Sequence, residues 1–486
     1  MINKIFKDTA SNPNRRENLS SETDSKFSSP GFDARKHKVF VETYGCQMNL
    51  ADTEIIKSIL AKENFAFVKD ELQADVVMLN TCAIRENAHR KVYGRVHDIR
   101  HKRNGTPVKI GILGCMATNL RRELLENRNL KIDFIAGPDS YKRLPQLIRE
   151  SYAIDQPFDF TNGKSLDFVK TKPFDVTLSE FETYWDIYPQ REKGVNAWIA
   201  VMRGCNNFCT FCVVPYTRGR ERSRRVENIL GEVKRLADEG FKQVTLLGQN
   251  VNSYRDDNGA DFATLLEEIS QVDGIKRIWF TSPHPKDFPD RLLEVVAFNP
   301  KVCKHIHLPL QAGNNRILDL MNRTYTQEEF LALVDKIRRL NPAIALTTDV
   351  IVGFCSETDE EFEDTLKVMK EVQFDSAFVF KYSERKQTVA SKKFKDDVSD
   401  EKKKERIIRL NDIQKEIALK KNQAHIGQIQ DVLIDNETTN KSDEFMPARM
   451  ENNKLVILPQ GSGKVGEIVR VKITEASPVS LKGNKL

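Results

Sequence analysis

Three cysteines, Cys205, Cys209 and Cys212, stand in a C-x3-C-x2-C spacing on one short polar loop. The apolar run 195–201 precedes this loop, so the pattern predicts a strand that ends in a tight turn with the three thiols around one point. An iron–sulfur cluster with four irons normally takes four cysteines. Three thiolates leave one iron with an open position, which is typical of a catalytic metal and not of a structural one.

Zinc is the alternative occupant of such a loop. Zinc sites usually pair one C-x2-C with a second pair of cysteines or histidines at a fixed distance. The next cysteines along the chain, Cys303 and Cys355, each stand alone, so the ligand count favours iron–sulfur chemistry. We interpret Cys303 and Cys355 as core or loop thiols.

Three further cysteines, Cys46, Cys82 and Cys115, each follow a short apolar run of the strand type. Helical patterns separate these runs, and strands that alternate with helices predict a parallel sheet. The carboxyl ends of parallel strands meet at one edge, so we expect these cysteines to converge on a second site with three thiols. Three independent buried thiols are the alternative, because free cysteine is commonly buried.

The elements that position these cysteines divide the chain, which is of the α/β class, into five segments. We expect a disordered tail at 1–36, a Rossmann-like parallel-sheet domain at 37–154, a packed linker at 155–193, a partial (β/α)6 barrel at 194–422 and a small all-β, OB-like barrel at 423–486. In the partial barrel, ligands are expected at the carboxyl ends of the strands, where the C-x3-C-x2-C loop also lies.

Composition narrows the class of protein. No run of about 18 apolar residues occurs, and the N-terminus lacks the apolar core of a secretory signal. Eight cysteines in such a chain point to metal binding or catalysis and not to disulfides. We therefore expect a cytoplasmic protein with no membrane partner. The net charge of +6 permits a nucleic-acid partner without requiring one.

Polar side chains stand at other strand ends of the partial barrel, namely Gln249 and Asn250, His307 and Gln311, and Asp349. They are candidate ligand contacts, with ordinary loop capping as the alternative.

An arginine-rich stretch follows the cysteine loop. Its members Arg218, Arg220, Arg222 and Arg224 are candidate phosphate or RNA contacts, and a solvated charged face is the alternative.

At this point the chain resembles a known family. The C-x3-C-x2-C loop resembles the signature of the radical S-adenosylmethionine (SAM) superfamily. Tyr44-Gly-Cys46-Gln-Met-Asn49, Asn80-Thr-Cys82 and Gly114-Cys115-Met-Ala resemble the N-terminal domain of the methylthiotransferases, most of all their MiaB branch. The segment 423–486 is similar to the TRAM domain, an OB-like RNA-binding module. The chain is thus identified as a member of the radical SAM methylthiotransferase family from Lys38 onward.

The resemblance implies two 4Fe-4S clusters, one on Cys205, Cys209 and Cys212 and an auxiliary one on Cys46, Cys82 and Cys115. It implies SAM on the open iron of the first cluster, with contacts from Phe211, Gln249, Asn250, His307, Gln311 and Asp349. The implied activity is methylthiolation of carbon 2 of N(6)-isopentenyladenosine at tRNA position 37. Two SAM molecules are used, one as methyl donor and one as the source of a 5′-deoxyadenosyl radical.

The resemblance also implies partners. These are the anticodon stem-loop of tRNA, an electron donor such as a flavodoxin-type reductant, and iron–sulfur assembly or carrier proteins, with the enzyme itself a monomer. Threonylcarbamoyladenosine in tRNA, or an aspartate of a ribosomal protein, is the alternative substrate. A non-enzymatic, zinc-binding RNA adaptor is the alternative of a different class.

Overall fold

The computed structural model describes residues 33–83, 86–153, 172–439 and 442–486, with the backbone alone for 86–89. Most of the predicted tail, residues 1–32, and the part of the predicted linker before 172 lie outside the described residues. The described end of the tail carries a short 3-10 helix, Ala34–Lys36.

The N-terminal domain is a parallel six-stranded sheet with strand order β2-β1-β3-β4-β5-β6, as predicted. Its strands are β1 (Lys38–Tyr44), β2 (Ala66–Phe67), β3 (Val76–Thr81), β4 (Lys109–Gly114), β5 (Phe134–Ala136) and β6 (Phe174–Asp175). Its helices are α1 (Gln47–Lys62), α2 (Glu86–Lys102), α3 (Cys115–Asn119), α4 (Arg121–Glu126) and α5 (Leu144–Ala153). Every residue of β3 and β4 is buried, as expected for central parallel strands that are covered on both faces.

The described part of the predicted linker belongs to this domain. Strand β6 pairs with β5, and Tyr184 and Ile187 are buried in the same apolar core as α1 and α5. Tyr184 therefore packs in the core of the domain, whereas Phe181 and Trp185 of the same segment are exposed.

The central domain is an open parallel barrel of six βα units. Strands β7 (Asn196–Ala200), β10 (Gln243–Leu247) and β11 (Arg277–Phe280) form one half, and β12 (His305–His307), β13 (Ala345–Val352) and β14 (Ser376–Lys381) form the other. A bridge between Ile278 and Val302 joins the halves. Two short antiparallel strands, β8 (Met202–Arg203) and β9 (Arg222–Ser223), flank the cysteine loop.

Helices cover the outside of this barrel, and several of them begin at a capping side chain. They are α6 (Val214–Arg218), α7 (Val226–Asp238), α8 (Phe262–Ser270), α9 (Asp290–Phe298), α10 (Asn315–Leu320), α11 (Gln327–Leu340), α12 (Asp359–Val372), α13 (Val389–Lys393) and α14 (Asp400–Gln423). Thr326 and Thr358 each close a capping box at the start of α11 and α12. In α7, Val226, Ile229 and Val233 are buried at helical spacing, which turns one face of the helix to the core.

The C-terminal domain is a closed barrel with strand order β15-β16-β17-β19-β18, as predicted. Its strands are β15 (Ile429–Ile434), β16 (Phe445–Met450), β17 (Leu455–Pro459), β18 (Ile468–Ala476) and β19 (Leu481–Lys485). It docks on the central domain through Lys454, which pairs with Asp375 at 2.8 Å, and through Arg277, which donates to Arg449 O at 2.6 Å. None of the helices in the described ranges is long and apolar enough to cross a membrane.

Candidate active site

The C-x3-C-x2-C loop follows Gly204 and is fixed by backbone contacts. Gly204 has a φ of 79°, and a Cβ built there would lie 2.0 Å from the carbonyl oxygen of Arg220, so this close approach requires glycine. Thr210 donates its backbone N–H to Met321 O at 3.0 Å and its hydroxyl to Leu320 O at 2.7 Å. The middle of the loop is thereby held against the end of α10.

All three thiols of this loop receive N–H donors. Cys205 Sγ and Cys212 Sγ each accept a backbone N–H at 3.5 Å from the residue two positions ahead. Cys209 Sγ accepts from Nη1 of the buried Arg323 at 3.3 Å. Burial raises the pKa of Cys205 to about 11 and that of Cys212 to about 12. These thiols are therefore protonated at neutral pH until a metal displaces the protons, and the N–H donors then stabilise the thiolates.

The other three cysteines meet at one edge of the N-terminal sheet. Cys46 caps α1 directly after β1, Cys82 follows β3, and Cys115 opens α3 after β4. Strands β1, β3 and β4 are neighbours in the sheet, and the side chains of Cys46 and Cys82 hydrogen-bond to each other. The three cysteines thus lie at one edge of the sheet although they are far apart in the sequence, and a common site for all three stays a prediction.

The glycines that precede two of these cysteines are required by the same crowding. A Cβ at Gly45 would lie 2.3 Å from Asn49 Oδ1 and 3.0 Å from the Cβ of Cys82. Gly114 has a φ of 84°, and a Cβ there would lie 2.5 Å from Asn80 Oδ1. The Gly-Cys pairs therefore let the ends of neighbouring strands come close enough to bring the thiols together.

The thiols of Cys46 and Cys115 differ in pKa because their electrostatic surroundings differ. The hydrogen bond with Cys82, assisted by the charge of Arg218 and opposed by burial, lowers the pKa of Cys46 to about 6. Burial raises the pKa of Cys115, although Arg218 Nε donates to Cys115 Sγ at 3.1 Å.

Arg218 lies in the central domain and contacts Cys115 directly, and its guanidinium also belongs to a buried ion cluster. Asp52 on α1 is fully buried and accepts from Arg218 Nη2 at 2.8 Å and from Arg203 Nη2 at 2.7 Å. The hydroxyl of Tyr141 donates to the same carboxylate at 3.3 Å. Burial alone would raise the pKa of Asp52, but the charges of Arg203 and Arg218 outweigh it and hold the pKa below its usual value.

Two more arginines of the same stretch are buried and paired. Arg222 donates from Nη2 to both carboxylate oxygens of Asp139, at 2.9 and 3.0 Å. Arg224 pairs with Glu232 at 2.7 Å, and all four side chains are less than a tenth exposed.

The prediction that this stretch contacts RNA is wrong for Arg218, Arg222 and Arg224, because buried guanidinium groups that are paired with carboxylates cannot reach a phosphate. Of the four candidates, Arg220 is exposed, with its guanidinium carbon 4.3 Å from the centre of the Phe208 ring. Asp52 and Asp139, which balance Arg218 and Arg222, lie far from the stretch in the sequence, so the stretch itself does not reveal them.

Apolar contacts close the same interface. Met48 and Ala51 of α1 pack against Ala200 and Leu247, which lie in strands of the central barrel. Beside Cys115, Ala83 and Val213 form a second small buried group. The two sets of cysteines therefore belong to one packed region between the N-terminal and central domains.

The predicted SAM contacts at the end of β10 lie beside the cysteine loop. Gln249 Oε1 accepts the backbone N–H of Gly204 at 2.6 Å. Asn250 donates to Asp287 Oδ2 at 2.9 Å, and its own buried Oδ1 has no partner among the described residues. Gln249 thus supports the loop, whereas Asn250 has an acceptor left for a ligand.

The predicted contacts on the other half of the barrel also lie together. His307 Nδ1 is 2.9 Å from Thr347 Oγ1, and His307 Nε2 is 3.3 Å from Asp349 Oδ2. Gln311 has a φ of 65° and joins β13 through its backbone, donating to Asp349 O at 2.9 Å. Phe211 packs, half-buried, against the main core of the central domain.

Two aromatic residues that the sequence interpretation missed share this face. The register pairs Asp349 with Phe378 and Ile351 with Phe380, so these side chains line the same side of the sheet as His307. Phe378 is 58% exposed and Phe380 is 45% exposed, which is unusual for large apolar side chains in a strand. The i, i+2 spacing of the two phenylalanines was the available signal.

All eight cysteines are free, and Cys303 and Cys355 are buried apart from both sets, as predicted. In the described part of the chain, no group of three Cys, His, Asp or Glu side chains is arranged to hold a single metal ion. A four-iron cluster differs from such a site, because each thiolate binds a different iron and the sulfurs need not converge on one centre. Buried donors without partners, namely Nη1 of Arg218 and Nε and Nη1 of Arg203, lie in the ion cluster beside Cys115. Thiols with uncompensated donors fit an anionic iron–sulfur group.

Comparison with known proteins matches each domain. "Uncharacterized protein family UPF0004" matches residues 38–137, "Radical SAM superfamily" matches 199–369, and "TRAM domain" matches 423–486. The chain is 44% identical over 456 residues to the tRNA-2-methylthio-N(6)-dimethylallyladenosine synthase of Chloroherpeton thalassium, covering 93% of this chain and 97% of that one. The enzyme of the same name from Phocaeicola vulgatus is 42% identical, with 93% and 97% covered.

Solved structures agree in fold. The radical SAM methyltransferase TsrM from Kitasatospora setae, with cobalamin and a [4Fe-4S] cluster bound, gives a TM-score of 0.51 at 14% identity, covering 71% of this chain and 75% of that one. The matched domains and the 44% identity over 93% of the chain show that the chain belongs to the family of radical SAM tRNA-2-methylthio-N(6)-dimethylallyladenosine synthases.

Proposed function

We propose that this protein methylthiolates carbon 2 of N(6)-isopentenyladenosine at position 37 of tRNA, as the names of its relatives indicate. The observation that carries the proposal is the packing of two sets of three free cysteines against one domain interface. The target C–H bond is inert to acid–base chemistry, so a radical must remove the hydrogen and sulfur must be held nearby. The two sets of cysteines at the interface provide one candidate site for forming the radical and one for holding the sulfur.

In this proposal Cys205, Cys209 and Cys212 hold the cluster that binds SAM, and Cys46, Cys82 and Cys115 hold the auxiliary cluster. When bound, the first cluster supplies the electron that cleaves SAM, and the second holds the sulfur that is transferred. The protein orients both: Thr210 fixes the first loop against α10, and Arg218 spans from that loop to Cys115.

We place SAM along the carboxyl ends of the barrel strands. Asn250 offers a free buried acceptor for the amino group or ribose, and the half-buried Asp349 and His307 offer polar groups on the opposite half. Phe211 and Gln311 complete the assignment made from the sequence. The exposed rings of Phe378 and Phe380 share the face of Asp349 and extend the apolar surface available to the adenosine.

The anticodon stem-loop is the RNA element that presents position 37, and the C-terminal barrel is its proposed docking site. Arg470 and Lys472 point outward from β18 and are exposed. The proposal includes a flavodoxin-type electron donor, iron–sulfur assembly or carrier proteins, a cytoplasmic location and a monomeric enzyme.

The test of activity uses the anaerobically purified full chain, whose iron content is measured first. Incubation with SAM, reductant and tRNA that carries N(6)-isopentenyladenosine should give the 2-methylthio nucleoside by mass spectrometry. Conversion of threonylcarbamoyladenosine instead, or of an aspartate in a ribosomal protein, would reassign the substrate. A colourless protein with stoichiometric zinc would favour the adaptor.

The barrel assignment is tested by replacing Arg470 and Lys472 together with Glu. Loss of phosphate contacts should weaken tRNA binding and flatten its dependence on salt concentration. The exposed Lys234 on α7, changed to Glu, is the matched control and should leave both unchanged. An unaltered salt slope in the double variant would remove RNA docking from this face of the barrel.

A further inference from the structure

Arg218 is the one side chain of the arginine-rich stretch that touches a cysteine of the other domain. It is the last residue of α6, six positions after Cys212, and is 3% exposed. Its Nε donates to Cys115 Sγ at 3.1 Å and its Nη2 to Asp52 Oδ2 at 2.8 Å. The segment that follows the first cysteine loop thus ends on a thiol of the second set.

The position of this guanidinium is determined by its partners. Asp52 lies on α1, six residues after Cys46, and its carboxylate also accepts from Arg203 and Tyr141. Two arginines share one carboxylate, so a positive charge remains beside the thiols. Cys115 is 5% exposed, so little water screens that charge.

The hydrogen-bonding capacity of Arg218 is also unfilled. Its Nη1 is buried without a partner among the residues that the structure describes. Buried donors normally find an acceptor. Sulfur atoms of an anionic iron–sulfur group would be acceptors of the required charge.

We propose that Arg218 is a positioning residue for the auxiliary cluster. Through its hydrogen bond to Cys115 and its positive charge, Arg218 raises the reduction potential of that cluster. The proposal rests on the assignment of a cluster to Cys46, Cys82 and Cys115. Reduction adds a negative charge to a group that is already anionic, and a buried cation stabilises the more negative state more strongly. Hydrogen bonds to the sulfur act in the same direction.

The experiment isolates the auxiliary cluster in the full chain by replacing Cys205, Cys209 and Cys212 with Ala. After anaerobic reconstitution, iron and sulfide are measured, and the cluster is titrated with dithionite while its electron paramagnetic resonance signal is followed. Arg218→Met, Arg218→Lys and Arg203→Met are compared with this parent. Arg203→Met is the matched control, because it also removes one guanidinium from Asp52 but touches no cysteine.

Arg218→Met should shift the midpoint potential to a more negative value, Arg218→Lys should recover part of the shift, and Arg203→Met should shift it less than Arg218→Met. Equal shifts in both Met variants, or no shift in Arg218→Met, would overturn the role of the Cys115 contact. If Arg218→Met fails to fold, Arg218→Lys decides: its single nitrogen should give a smaller negative shift, and an unchanged potential would overturn the proposal. A parent without a cluster would instead contradict the proposed function.

Discussion

The two sets of cysteines are built in opposite ways. Cys205, Cys209 and Cys212 lie within eight residues, on a loop held by its own backbone and by side chains of the central domain. The other set takes one cysteine from each of three strand ends, so only the finished sheet brings the thiols together. The local set should therefore keep its geometry whenever the loop is held, whereas the set made by the sheet depends on long-range packing.

Each set also has one arginine, and the two arginines are compensated differently. Arg218 shares the carboxylate of Asp52. Arg323 donates to Cys209 Sγ, to the hydroxyl of Tyr325 and to the carbonyl oxygen of Pro309, and no ion pair to a carboxylate is seen for it in the described ranges. The arginine at Cys115 thus belongs to an ion cluster, whereas the arginine at Cys209 has no carboxylate partner among the described residues.

The largest expected effect comes from removing one cysteine of each set. Cys82→Ala should still produce 5′-deoxyadenosine from SAM under reducing conditions but form no methylthiolated nucleoside, because only the site that holds the sulfur is lost. Cys209→Ala should lose deoxyadenosine formation altogether. Each variant should retain about half of the reconstituted iron, since ligation is local to each set of thiolates.

Chromatography of deoxyadenosine, S-adenosylhomocysteine and nucleosides measures this division. Cys303→Ala is the control, because Cys303 is buried in the core apart from both sets. If Cys82→Ala abolished deoxyadenosine while its remaining cluster stayed spectroscopically intact, the two sites would not be separable in function.

The next effect concerns the ion cluster that joins the two regions. Asp52→Asn leaves Arg203 and Arg218 buried without their carboxylate, and breaking a buried pair in this way typically costs about 3–5 kcal/mol. Urea unfolding of the apoprotein, followed by tryptophan fluorescence, should show a loss of this order, since Trp198 packs at the interface. The exposed pair Arg122–Glu126 gives the control, and Glu126→Gln should change stability by about 0.5 kcal/mol or less. Equal effects of the two substitutions would mean that the ion cluster does not hold the domains together.

What could be predicted from the sequence follows the same division. The local loop was recognisable from spacing, and the second set from the rule that parallel strands end at one edge. The contact between Asp52 and Arg218 joins residues 166 positions apart, and a single aspartate in a helix carries no signal of such a partner. For this reason the sequence predicts a phosphate-binding or solvated charged face for the arginine stretch, although three of its members are buried.

The domain pattern was predictable because strand and helix periods are local properties of the chain. The sixth strand of the N-terminal sheet was not, since Phe174–Asp175 is only two residues long and lies in the segment predicted to be a linker. The exposed phenylalanines of β14 were missed for a related reason: an alternating strand shows which residues share a face, but not which face meets solvent.

The smallest expected effect is a difference in the pH dependence of stability between the surroundings of Arg323 and those of Arg218. Burial, together with the charge of Arg323, lowers the pKa of His284 to about 2, and His284 Nδ1 accepts the backbone N–H of Lys286 at 3.3 Å, which requires a neutral ring. Because the folded pKa lies below the unfolded value of 6.5, this histidine contributes stability above pH 6.5, and that contribution is lost as the pH falls below 6.5. At Asp52 the pKa is held below 3.8, so its contribution persists until far more acidic conditions.

The stability difference between the wild-type apoprotein and His284→Gln should therefore shrink from pH 7.5 to pH 5, by up to about 1.4 kcal/mol per pH unit below the unfolded pKa. The corresponding difference for Asp52→Asn should stay constant over the same range. Urea midpoints of the three proteins measure both differences, and a constant difference for His284→Gln would show that the ring beside Arg323 is not held neutral by the fold.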